Sequence, residues 1–112
     1  MKSHPKLAVA LLALCPFFAK AESGLCTNDA DVRVTIQITE RGQVTDLSVK
    51  VPQSPLTRYP EANGRMVILP THAFGFSAKE TPMHEAMTLD ISDKSGQLKL
   101  GGKTSSLQCD WN

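Results

Sequence analysis

Met83, His84 and Met87 lie within five positions of one another, with Met66 and His72 upstream. Thioether sulfur and imidazole nitrogen together suit copper, above all the reduced ion, which prefers soft donors to carboxylates. The candidate metal ligands are His72, Met83, His84 and Met87, provided that the fold brings them to one point. Parity argues for a plainer role at one of them. Met87 alternates with polar residues in step with Leu89 and Ile91, which makes it a filler of the core face of a strand.

Catalytic chemistry finds less support. An active site needs an activated nucleophile, an acid and base pair, or a metal, held in a recognisable pattern. Beyond residue 21 the imidazoles are His72 and His84, and there is no Gly-x-Ser-x-Gly elbow. Gly101-Gly102-Lys103-Thr104 has the residues that end a phosphate-binding loop. The spacing back to Gly96 is one residue too long, however, and the lysine leads into a strand pattern instead of a helix. Those residues read as a hairpin turn. The expectation is a protein that is not an enzyme, with no cofactor implied.

The first twenty-one residues have the grammar of an export signal. Lys2 and Lys6 precede a twelve-residue apolar run over residues 7–18, and Ala19-Lys20-Ala21 ends it with small residues at the cut. Cleavage is expected after Ala21, leaving residues 22–112 as a single small β domain that begins at Glu22. Twelve positions interrupted by Pro16 fall short of the roughly twenty that span a bilayer. Leu14 and Leu25 precede Cys15 and Cys26, where a lipid-modified cysteine follows a small residue. The expected location is periplasmic or secreted.

Removing Lys2, Lys6 and Lys20 with the leader reduces twelve Lys and Arg to nine, against eleven Asp and Glu. The formal charge then moves from +1 to −2. Scattered, near-balanced charge lacks the basic footprint of nucleic-acid binding. No run of the mature chain is apolar enough to span a membrane. Two cysteines remain, Cys26 and Cys109, one near each end. In an oxidising compartment this pair is expected as a disulfide, and closing so long a loop contributes roughly 4 kcal/mol by chain-entropy reasoning.

The elements that must carry these residues are strands. Val32, Val34, Ile36 and Ile38 alternate with polar residues, as do Leu47, Val49 and Val51. A turn at Arg41-Gly42 pairs Ile36 with Leu47, Val34 with Val49 and Val32 with Val51, apolar against apolar throughout. The same register sets one like-charge pair, Arg33 against Lys50. Residues 52–64 carry Pro52, Pro55, Pro60 and Asn63-Gly64, which predicts a connection without regular structure. Arg58 and Tyr59 within it are candidate binding residues, because exposed arginine and tyrosine commonly anchor interfaces. Further strands are predicted over residues 65–69, 73–76, 87–92, 97–100 and 103–109, with Thr81-Pro82 starting at most one helical turn. The fold class is all-β: a small antiparallel β-barrel or sandwich of six to seven short strands, closed by one disulfide.

Glu85-Ala86-Met87-Thr88-Leu89 resembles the methionine strand of small periplasmic copper chaperones, with Leu89 in place of the second methionine and His84 in place of the tryptophan. That resemblance implies copper binding as the alternative function. The size, strand number and terminal cysteines are similar to those of exported lysozyme inhibitors, whose loop motifs this chain lacks. The leading expectation is a periplasmic or secreted β module that binds another protein or an envelope component, as an inhibitor, an immunity-type protein or an accessory factor. Rigid, disulfide-closed domains suit such work because docking orders little that was mobile before.

Overall fold

The computed structural model describes residues 21–112. The expected leader, with Cys15, lies outside the described residues apart from Ala21. The alternating segments form eight strands: β1 (Glu22–Thr27), β2 (Arg33–Ile38), β3 (Val44–Lys50), β4 (Thr57–Arg58), β5 (Phe74–Ala78), β6 (Met87–Ser92), β7 (Ser95–Leu100) and β8 (Lys103–Trp111). They make one antiparallel sheet in the order β4-β3-β2-β1-β8-β7-β6-β5, curled into a half-barrel. Two up-and-down meanders, β1 to β4 and β5 to β8, are thus joined where β1 pairs with β8. No helix among the described residues is long and apolar enough to cross a membrane.

The join between the meanders is covalent as well as hydrogen-bonded. Cys26 stands directly opposite Cys109 in the β1–β8 ladder, and the two form the disulfide, 83 residues apart in sequence. Two positions along the same face, Gly24 faces Trp111. A Cβ at Gly24 would stand 2.8 Å from Ile36 Cγ2 and 2.8 Å from Trp111 Cζ3, so a hydrogen is all that fits beneath the indole.

The opposite side of the curl is a seam between the edge strands β4 and β5, and residues 59–73 cross it. Val44 N–H donates to the Arg65 carbonyl at 2.8 Å and Val67 N–H to the Gly42 carbonyl at 2.7 Å. Ile68 and Ala73 then exchange backbone hydrogen bonds of 2.8 and 3.2 Å just ahead of β5. Gly42 is required here twice over: its φ is +89°, and a Cβ would collide with the Val67 carbonyl oxygen.

The β2–β3 hairpin has the register that the apolar alternation predicts, with Ile36 opposite Leu47, Val34 opposite Val49, and the like-charge pair Arg33 opposite Lys50. A bulge between Gln37 and Ile38 shifts the last pair, so that Ile38 meets Val44. Inward residues of both meanders, including Val34, Ile36, Leu47, Leu89 and Leu98, are buried in one core.

Other expectations need correction. Among the described residues the strands number eight in one sheet, in place of the expected six to seven strands and of a two-sheet sandwich. Two strands, β1 and β4, lie outside the predicted ones, and β1 is hidden from the alternation because Gly24 occupies an inward position while Leu25, 43% exposed, points out. Residues 52–64 do hold short elements, β4 and a 3-10 helix at Pro60–Ala62. Residues 65–69 form only isolated bridges, Gln43 with Met66 and Ile68 with Ala73. Thr81-Pro82 starts no helix.

Candidate functional site

Thr81, Pro82, Met83 and His84 close a tight turn ahead of β6. Thr81 and His84 exchange backbone hydrogen bonds of 2.9 and 3.3 Å, and Thr81 Oγ1 accepts from the N–H groups of Met83 and His84 at 3.1 and 3.2 Å. The threonine–proline pair thus does the capping expected of a helix start, but the His84 carbonyl returns to Thr81 and ends the turn at once. Met83 is left at the tip, 85% exposed, while the His84 side chain turns inward with 2% exposure.

Across the seam, the Tyr59 N–H donates to the Leu47 carbonyl at 2.8 Å, and Pro60 opens the 3-10 helix that follows. Glu61 in that helix reaches His84: its Oε2 lies 2.7 Å from Nε2. The other ring nitrogen, Nδ1, is 3.1 Å from the Glu85 carbonyl oxygen. Both partners are acceptors, so the doubly protonated imidazolium satisfies both. Tyr59 packs its ring 4.3 Å from that of His84 and donates its hydroxyl to the same Glu85 carbonyl at 3.3 Å.

These contacts set the local electrostatics. Burial draws the His84 pKa down, but hydrogen bonds to the Glu61 carboxylate and the Glu85 carbonyl outweigh it, leaving the pKa above the ordinary 6.5. The Glu61 carboxyl lies below its ordinary 4.5, first through a hydrogen bond from its own backbone N–H and then through His84. Desolvation raises the Tyr59 phenol above 10.0, helped by the charges of Glu85 and Glu61.

Above this cluster the two loops, residues 52–58 and 79–86, enclose a cleft of about 340 Å³. Val49, Val51, Pro55, Tyr59, Met83 and Leu100 supply apolar wall, and Glu80 and Glu85 supply carboxylates. A second cavity of about 430 Å³ adjoins it, walled by Val32, Pro52 and Leu98 with Lys103 among its polar groups. Val51, Glu85 and Leu100 line both cavities and form the ridge between them. Together they make the mouth of the half-barrel at this end.

The proposed metal ligands do not converge. Met87 is inside the core on β6, 2% exposed. His72 belongs to the far end, where its Nε2 lies 2.9 Å from Glu22 Oε1 and its ring stacks on Trp111 at 4.3 Å. The nine residues of β8 run from the Gly101–Gly102 turn at the mouth to Trp111, roughly 25 Å of extended chain. Only Met83 and His84 share the cleft. No group of three or more His, Cys, Asp or Glu able to hold a metal is found among the described residues.

Arg58 and Tyr59, expected together on the surface, point apart. The Arg58 side chain is 65% exposed, with Nη1 2.7 Å from Asp46 Oδ1, whereas Tyr59 is 1% exposed and belongs to the core. Tyr59 directly follows β4 with its backbone N–H held by the Leu47 carbonyl, so its side chain turns in where that of Arg58, the last residue of the strand, turns out. Glu61, Glu80 and Glu85 are the site residues that sequence reasoning passed over. Two of them, Glu80 and Glu85, bracket Met83-His84 within six positions, and that local acidic flank was the available signal.

No protein-family model matches the chain, and no curated protein or solved structure is significantly similar to it.

Proposed function

We propose that the protein is an exported binding module, periplasmic or secreted, whose contact surface is the mouth formed by residues 52–58 and 79–86, and that its partner is another protein or envelope component. Met83 carries the reading. A methionine held at the tip of a hydrogen-bonded turn, 85% exposed over a cleft, makes an adaptable apolar contact. Leu56, 52% exposed between cleft-lining Pro55 and Thr57, adds a second. Pro52, Pro55 and Pro82 stiffen both loops, which lowers the ordering entropy lost on docking.

Export is supported by the leader pattern of residues 1–21 and by the Cys26–Cys109 bond, since such bonds persist in oxidising compartments. Binding is favoured over catalysis at the cleft because both nitrogens of His84 are engaged by acceptors. The copper alternative retains only Met83 and His84 as neighbours.

Capture from an envelope extract, with the full chain expressed in an exporting host, tests the reading. A partner is expected to be retained by the wild type and by Ile68→Asp, which alters an exposed apolar residue outside the cleft, and lost by Leu56→Asp combined with Met83→Asp. No partner above controls, or one lost only with Ile68→Asp, contradicts it.

A further inference from the structure

We infer that the mouth receives a basic side chain, lysine or arginine, carried by an extended segment of a protein partner with an apolar residue two positions away. This rests on the mouth being the contact surface. The sign of charge selects the occupant. Glu80 and Glu85 line the 340 Å³ cleft, no lysine or arginine lines it, and Glu61 beneath is committed to His84. Neither Glu80 nor Glu85 has a cation within salt-bridge distance among the described residues. An anionic group entering here would meet two unneutralised carboxylates at the exposed rim of the cleft, while a cation neutralises them.

The shape agrees with the charge. Lysine and arginine combine an aliphatic stem with a cationic head, and the cleft offers Val51, Pro55 and Leu100 to the stem and carboxylates to the head. In an extended chain, side chains at positions i and i+2 fall on the same side, roughly 7 Å apart. The adjoining 430 Å³ cavity, across the Val51–Leu100 ridge, offers Val32, Pro52 and Leu98 to the second of them, with Lys103 and Ser105 among its polar groups.

The probe is acetyl-Arg-Gly-Leu-amide, titrated into isotope-labelled, disulfide-intact protein produced from the full chain and followed by NMR. Its neutral isostere, with citrulline in place of arginine, is the control. Saturable shifts are expected at residues 51–59, 81–86 and 98–103, with affinity about tenfold above that of the citrulline peptide. Glu80→Gln combined with Glu85→Gln is expected to abolish that preference while leaving the melting temperature unchanged. Equal binding of the two peptides, shifts elsewhere, no saturable binding, or a preference that survives the double substitution overturns the inference. A partner whose capture depends on Leu56 and Met83, together with peptides that bind alike, removes the charge inference alone. Capture independent of those two residues removes the docking surface itself.

Discussion

His84 Nε2 and Glu61 Oε2 stand 2.7 Å apart across the seam where the two edges of the curled sheet face each other. The meanders are therefore held on both sides. A covalent bond and a strand ladder join β1 to β8, and a titratable contact joins the 3-10 helix to the turn before β6.

This contact makes stability depend on pH in a defined window. His84 titrates above 6.5 in the folded protein, so its contribution is complete below pH 6.5 and is lost as pH rises through the folded value. Glu61 titrates below 4.5, so its contribution is present above pH 4.5 and is lost as pH falls through the folded value. The contact is strongest between those limits. Melting temperatures are expected to decline on the alkaline side of pH 6.5, and Glu61→Gln is expected to flatten that decline. An identical alkaline decline in wild type and variant would contradict the assignment.

Arg58 and Tyr59 should separate sharply in urea denaturation. Tyr59→Ala removes a buried ring and is expected to cost roughly 3–5 kcal/mol, as other aromatic truncations in cores do. Tyr59→Phe loses one hydrogen bond, about 1 kcal/mol. Arg58→Ala breaks an exposed ion pair and is expected to cost under about 1 kcal/mol. Comparable losses for the two alanine variants would mean that Tyr59 is not in the core.

The contrast between these neighbours marks what the sequence could convey. Period-two alternation in β2 and β3 carried its own register, down to the Arg33–Lys50 pair, because a slip by one residue would expose every apolar side chain. The disulfide pair was legible from the even number of cysteines beyond residue 21, one near each end, together with the expectation of an oxidising compartment. β1 was not, since its inward Gly24 is explained only by Trp111, 87 residues later, lying across it. The site was least legible. Glu61 and His84 are 23 residues apart, and nothing local couples a carboxylate in a proline-rich connection to a histidine before a distant strand.

The disulfide sits where the two meanders meet, so its removal weakens the join itself as well as loosening the unfolded chain. Cys26→Ser with Cys109→Ser is expected to lower stability by roughly 4 kcal/mol. Denaturant titration of the double variant measures it, and a loss under about 1 kcal/mol would contradict a structural role. In the same preparations, mass spectrometry of the wild type is expected to find a chain starting at Glu22 with both cysteines oxidised. A retained Met1 or free thiols would contradict export.

The claim that the mouth is where a partner docks is tested most directly by placing a photo-crosslinking residue at Met83 in intact cells, with Ile68 as the comparison position. A discrete protein adduct from position 83, absent from position 68, is the predicted result. No adduct from position 83, or the same adduct from both positions, would contradict it.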